Sequence, residues 1–194
     1  MDGSAGGKSF RASESQRLDA FVDAAFAFAV SLLIIGGAEP LRSFDDLALA
    51  LARIPAFAFG FGLIVLFWLA HRNWSNISPV RSGWTTALSL AVVFAVLVFV
   101  FPLRLLAETA TYYISAGALP GGQLMSSLAD LRWTYVIYGI AFACLAGLNT
   151  ALYAQAARAL REGDPVARRK TRQWTMTWAI ATGTGLLSAL IAAT

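Results

Sequence analysis

The sequence predicts an all-α membrane protein, a polytopic bundle of transmembrane helices. Hydrophobic residues make up 58% of the chain and charged residues only 13%, and the mean hydropathy is +0.64. Five stretches are apolar over about 20 residues or more, the length a helix needs to cross the hydrocarbon core. None shows the period-two alternation of barrel strands, and a bilayer offers no partner to free backbone groups. Helices are therefore the expected elements.

The order of these stretches predicts one transmembrane domain over 17–194, preceded by a flexible tail over 1–16. The tail is small, polar and rich in Gly and Ser, a composition that buries too little surface to order itself. The connection 108–128 is only moderately apolar and is expected to be an interfacial segment, with a short re-entrant helix as an alternative. The five spans are expected near 19–38, 47–71, 84–107, 132–158 and 174–193.

The distribution of Lys and Arg predicts a cytoplasmic N-terminus, because basic residues next to spans stay on the cytoplasmic side. With this orientation eleven of the fifteen basic residues lie inside. A signal peptide is the alternative for the first span, but Asp23 interrupts what should be an unbroken apolar segment. The inner basic residues are Lys8, Arg11, Arg17, Arg72, Arg81, Arg158, Arg161, Arg168, Arg169, Lys170 and Arg172.

Composition argues against several classes of function. Cys144 is the only cysteine and lies in an apolar run, so neither an internal disulfide nor a cysteine metal site is expected. The basic residues form short clusters between apolar runs, which indicates topology and contact with lipid headgroups over 159–174, and no nucleic-acid partner. No nucleophile, base and orienting group fall in register, so we expect no enzyme, no catalytic residue, no metal and no cofactor.

The first span carries a stripe of side chains at helical spacing. Such a stripe is either a packing seam inside one subunit or, if copies of the helix surround a symmetry axis, the wall of a pore. Both interpretations are open from periodicity alone. The stripe consists of Arg17, Phe21, Ala24, Phe28, Ser31, Leu32 and Ile35.

Asp23 faces away from this stripe, about one turn inside the predicted cytoplasmic boundary. An ionisable side chain at that depth is costly and is usually partnered. The end of the second span and the start of the third return to the same leaflet, so a shared polar layer is possible. It is either a hydrogen-bonded cluster that fixes helix rotation or a site that handles protons. Its candidate members are Arg17, Asp23, Trp68, His71, Asn73 and Trp84.

The segment RLDAFVDAAFAFAVSLLII resembles the first-helix signature, Arg-x-x-x-Phe-Ser-Asp followed by an aliphatic run with a hydroxyl residue, of the bacterial relatives of the lysosomal potassium channel transmembrane protein 175. Arg17, Phe21 and Asp23 match it, and Val22 stands in place of Ser. Trp68-x-x-His71 resembles the Trp/His motif of the second helix, and Pro102 lies where that family often has proline. The resemblance covers roughly 14–105.

The resemblance implies a potassium-preferring cation channel built as a homotetramer in the inner (plasma) membrane, with K⁺ as the permeant ion. The first helices would line the pore, with Phe28, Leu32 and Ile35 at a hydrophobic constriction and Ser31 as a hydroxyl layer. Bacterial members usually have six spans. Two alternatives stay open: a non-conducting membrane scaffold with the same fold, and a proton-coupled carrier that uses Asp23 and His71.

The last two spans carry polar and small residues with a packing role. Asn149 in the fourth span is expected to form a hydrogen bond to another helix. Thr182, Gly183, Thr184 and Gly185 in the fifth are expected to form a close-packing face, since small residues let helix backbones approach each other in a membrane.

Overall fold

The computed structural model describes residues 3–36, 40–78, 81–121, 127–160 and 165–194, with side-chain surroundings from residue 15 onward. The described residues form helices and turns and contain no strand. By length and composition five segments can cross a membrane: Ser15–Ile35, Phe44–Ile77, Gly83–Ile114, Leu128–Ala159 and Pro165–Ala193. The chain is therefore an all-helical, multi-pass membrane protein. The six helices are α1 Gly3–Ile35, α2 Phe44–Ala52, α3 Ile54–Ile77, α4 Gly83–Ile114, α5 Leu128–Ala159 and α6 Pro165–Ala193.

The N-terminal segment differs from the flexible tail expected over 1–16. Helix α1 begins at Gly3 and runs without a break into the first span. A helix that is already nucleated adds one hydrogen bond for each further residue, so it extends into a polar segment at little cost. The backbone of 3–16 is therefore helical although its composition is that of a tail.

The second span is two helices where one was expected over 47–71. Ser43 caps α2 through a reciprocal pair of hydrogen bonds with Asp46. The chain turns at Arg53, and α3 starts with proline in its first turn. The missing N–H of Pro55 costs little there, because the first N–H groups of a helix have no partner within that helix. The proline therefore separates the short helix α2 from the long helix α3, which ends at Ile77.

The core lies between α1, α3, α4 and α5, where side chains at helical spacing on each element point inward. Phe67 packs against Phe142 and Trp178 with ring centroids 5.9 and 5.6 Å apart. The hydroxyl of Tyr153 on α5 donates a 2.9 Å hydrogen bond to the carbonyl of Ala70 on α3. This contact ties the last two spans to the first three.

Helices α5 and α6 form a hairpin with very close backbones. A Cβ atom built on Gly185 would lie 2.8 Å from the carbonyl oxygen of Gly139, and one on Gly139 would lie 2.7 Å from that of Gly185. Only glycine fits at this crossing. One expectation for this pair is wrong: Asn149 is buried but donates to the carbonyl of Leu145, one turn back on its own helix, at 2.9 Å. Its short amide reaches that carbonyl without help from a second helix.

The connection after the third span is shorter than the expected 108–128, because α4 continues to Ile114. Residues 115–121 form turns, and Gly117 and Gly121 have positive φ. The possible re-entrant helix is not formed by 115–121, and 122–126 lie outside the described residues. Gly121 is pressed against the backbone of Glu108, where a Cβ atom would lie 2.4 Å from the carbonyl oxygen.

Candidate pore face and its inner polar network

Helix α1 has two apolar faces with opposite surroundings in the single chain. Val22, Phe26, Ala29 and Leu33 are buried in the core, each 4% exposed or less. On the other side of the helix the predicted stripe is open: Phe21 is 53% exposed, Phe28 55% and Ile35 65%. The stripe is thus not a seam packed inside one subunit.

Two members of the stripe have particular surroundings. Leu32 is partly buried and packs against the core, so it lies at the border between the two faces. Ser31 is exposed and donates its hydroxyl proton to the carbonyl of Ala27 at 3.2 Å. Because the proton is used inside the helix, the lone pairs of the Ser31 oxygen are left on the open face.

The polar layer that was predicted for the inner end of the first span begins with Asp23. The indole Nε1 of Trp68 on α3 donates a 2.7 Å hydrogen bond to the Asp23 carboxylate. The guanidinium of Arg72, one turn further along α3, lies over the Trp68 ring at 5.2 Å from its centroid. This neighbouring indole is one of the partners that the sequence left open for Asp23. The hydrogen bond joins two spans that are 45 residues apart.

His71 binds a different partner. Its Nε2 lies 2.9 Å from the hydroxyl oxygen of Ser89 on α4, and both side chains are buried. The imidazole also packs on Trp74, with ring centroids 5.2 Å apart. At the position where the signature of the resembled family has Ser, Val22 is fully buried and has no hydroxyl. The hydroxyl that His71 contacts therefore belongs to Ser89 on α4 and not to position 22 on α1.

A second polar cluster lies beside these contacts and was missed from the sequence. The guanidinium of Arg81 forms a 3.1 Å ion pair with Asp19 on α1 and also donates to the Ser75 hydroxyl. Ser75 in turn donates to Asp19 at 2.8 Å, and Arg81 stacks over Trp74 at 4.8 Å. The available signal was spacing: Asp19 precedes Asp23 by one turn on the same side of α1.

The structure does not bring every predicted member into this network. Arg17, Asn73 and Trp84 are exposed in the single chain. A pairing of Arg17 with Asp23 is not among the described contacts, and the described partner of that carboxylate is the Trp68 indole. Phe21 belongs to the open stripe instead of the polar layer.

The C-terminal end of α1 also has a polar contact to α4. Arg104 on α4 donates to the carbonyl of Gly36, directly after the last turn of α1, and pairs with Glu108 at 2.8 Å. A cation near the last carbonyls of a helix is favourable, since these carbonyls carry its partial negative charge. The spanning part of α1, Ser15–Ile35, therefore has polar contacts to other helices near both of its ends, while Phe21, Phe28 and Ile35 on its open face are exposed.

This arrangement can orient an apolar surface, but it offers little for chemistry or metal binding. Within the described part of the chain, no three side chains of the His, Cys, Asp and Glu type are grouped so as to hold a metal ion. The Asp23 carboxylate accepts from the Trp68 indole, and Oδ2 of Asp19 accepts from the Ser75 hydroxyl and the Arg81 guanidinium. The other oxygen of Asp19, Oδ1, has no hydrogen-bond partner among the described residues. The network can thus fix the rotation of α1 about its axis.

Comparison with known proteins agrees with this geometry. Residues 17–102 match the family model described as endosomal/lysosomal potassium channel TMEM175. A curated potassium channel from Marivirga tractuosa is 32% identical over 100 residues, which cover 52% of this chain and 40% of that relative. The match thus spans less than half of that relative's length.

Two solved structures have a similar fold. A variant of the potassium channel MtTMEM175, bound to a nanobody–MBP fusion protein, matches with a TM-score of 0.81 and 23% identity, over 91% of this chain and 78% of that one. A lysosomal potassium-selective channel TMEM175 homologue from Chamaesiphon minutus matches with a TM-score of 0.60 and 21% identity, over 93% and 91%. The part of the chain that matches this potassium channel family model, residues 17–102, includes both faces of α1 and the polar network around Asp23 and His71.

Proposed function

We propose that the protein is a potassium-preferring cation channel, a homotetramer of the inner (plasma) membrane whose pore is lined by α1 of each subunit. One observation carries the proposal: an apolar face of α1 lies open on the side opposite the core, within the segment that matches a potassium channel family. Copies of one face around a symmetry axis bury that face against itself. K⁺ is then the transported ion and not a bound cofactor.

The chemistry of the open face suits a hydrophobic constriction. Rings of Phe28, Leu32 and Ile35 would narrow the pore and expel water, which denies a cation its hydration shell. Ser31 lies between these rings with its hydroxyl proton committed to Ala27. Its oxygen can therefore replace part of the hydration shell, which favours the ion that is cheaper to dehydrate, K⁺ over Na⁺.

The polar contacts support this role by fixing the rotation of the pore helix. Asp23 and Asp19 bind partners on α3 and on the connection to α4, and Arg104 holds the carbonyl of Gly36. A rotation of α1 would break contacts at both ends together. We infer that these contacts keep the open face directed toward the axis, and that Arg17 meets a neighbouring subunit at the inner mouth.

The test is potassium flux from liposomes that contain the purified protein, with a sodium gradient as the control for preference. Phe28→Ala or Leu32→Ala should widen and wet the constriction, so cation leak rises. Phe94→Ala is the matched control, because Phe94 is an equally apolar, 70% exposed phenylalanine on α4 outside the proposed pore wall. It should leave flux unchanged.

Two outcomes would contradict the channel. If the wild type conducts no cation, and Phe28→Ala loses the oligomer without gaining leak, the open face is a subunit seam of a non-conducting scaffold. If flux instead follows a proton gradient and is lost in Asp23→Asn, the protein is a carrier. The structure lends the carrier no specific contact, since Asp23 and His71 have different hydrogen-bond partners.

A further inference from the structure

A cavity lies between the C-terminal end of α5 and the N-terminal half of α6. It has a volume of about 500 Å³ and is bordered by both helices. Two small residues of α5, Ala154 and Ala157, leave room for a ligand beside the helix backbone. The other bordering residues are Arg158, Arg168, Arg172 and Thr175.

The described residues that border this cavity carry charges of one sign. Three guanidinium groups border it, and no carboxylate does so within the described part of the chain. Arg168 and Arg172 are one helical turn apart on the same side of α6, and Arg158 faces them from the last turn of α5. Arginine keeps its charge at any physiological pH, and like charges around one space repel each other. An anion in the cavity removes this repulsion.

The position of the cavity selects the kind of anion. Arg172 lies two residues before the start of the last predicted span, 174–193, so the guanidinium groups lie at the level where the helix enters the membrane. Basic pockets between transmembrane helices at this level suit lipid phosphates. The planar guanidinium group can bind two oxygens of one phosphate at once. Ala154 and Ala157 can pack against the apolar part of a lipid, whereas a hydrated soluble anion has no apolar part to place there.

We propose that this cavity binds the phosphate of an anionic phospholipid, with Arg158 and Arg172 as its principal contacts. Arg168 borders the same space and also makes a further polar interaction within the chain. The lipid then holds the inner ends of α5 and α6 together, on the same side of the bundle as the Asp19–Arg81 ion pair. The site is independent of ion conduction and requires only that the protein is embedded in a bilayer.

The experiment compares lipids on the full chain purified in detergent. Phosphatidylglycerol and phosphatidylcholine are titrated separately, and lipids retained by the protein are counted by native mass spectrometry. Arg158→Gln and Arg172→Gln should each weaken phosphatidylglycerol binding about fivefold, the effect of one basic group near an anionic lipid. Phosphatidylcholine binding should not change. Arg169→Gln is the matched control, because Arg169 is exposed on the same turn of α6 but does not border the cavity.

Three results would overturn the assignment. Equal weakening in Arg169→Gln would mean that the lipid responds to overall charge and not to a site. Inorganic phosphate that displaces phosphatidylglycerol at comparable concentration would mean that the cavity is a site for a soluble anion. Unchanged phosphatidylglycerol binding in the double variant Arg158→Gln/Arg172→Gln would mean that the cavity holds no lipid. If a glutamine variant fails to fold, Arg172→Lys keeps the charge without the planar group and should bind two- to fivefold more weakly than the wild type.

Discussion

The two faces of α1 have nearly the same chemistry and opposite surroundings. Phe26 is 3% exposed and Phe28 55% exposed, although both are phenylalanines two positions apart in one helix. The buried face packs against other helices of the same subunit, and the open face is exposed in the single chain. A hydrophobic helix in a membrane therefore shows its role by which face the subunit leaves open, and not by its hydropathy.

The largest loss of stability is expected from Phe26→Ala, on the buried face of α1. Removing a buried aromatic side chain costs about 3–5 kcal/mol, because the transfer free energy is lost and a cavity remains. The expected result is a strong drop in the midpoint of thermal unfolding of the detergent-solubilised subunit. Phe28→Ala is the control and should change that midpoint far less. Similar losses in the two variants would contradict the assignment of one buried and one open face.

The next largest loss of stability is expected when the hydrogen bond between Trp68 and Asp23 is removed. Trp68→Phe removes the indole N–H and leaves the Asp23 carboxylate without its 2.7 Å partner, at a cost of about 1–3 kcal/mol. Asp23→Asn should cost less, since an amide oxygen can still accept from Trp68. The double variant should cost less than the sum of the two singles, which thermal unfolding of all four proteins measures. Exact additivity would mean that the two side chains do not interact.

Much of this picture could be predicted from the sequence. The length and hydropathy of the apolar stretches gave five spans, and the spacing of Phe21, Phe28 and Ile35 gave the stripe. What the pattern could not give was the partner of each polar side chain, because a partner depends on the rotation and depth of the facing helix. Asp19 and Arg81, 62 residues apart, meet only when α3 ends at the height of Asp19 on α1. The break at Arg53 was not predicted either, because apolar residues continue on both sides of this single arginine.

A smaller effect is expected from Asp19→Asn. The Asp19–Arg81 pair is only partly buried, with side chains 33% and 21% exposed, so solvent weakens it and its loss should cost about 1 kcal/mol or less. Because Arg81 lies in the connection between α3 and α4, the measurable change is local: faster hydrogen exchange over 74–85, with little change in the global unfolding midpoint. Asp45→Asn, on exposed α2 at the other end of the bundle, is the charge-matched control and should leave that segment unchanged.

The smallest structural effect, and the most specific functional one, is expected from Ser31→Ala. Its hydroxyl bonds only to the carbonyl of Ala27 within the same helix, so its loss removes no contact between helices and hardly changes side-chain volume. The unfolding midpoint and the oligomeric state should therefore stay as in the wild type. If the open face lines a pore, the oxygens that replace part of the hydration shell disappear, and the ratio of K⁺ to Na⁺ flux in liposomes should fall. Thr177→Ala is the control, since Thr177 makes the same bond to a carbonyl four residues back on exposed α6 and should leave the ratio unchanged. A ratio that is the same in wild type, Ser31→Ala and Thr177→Ala would place the open face of α1 away from the path of the ion, whatever the protein conducts.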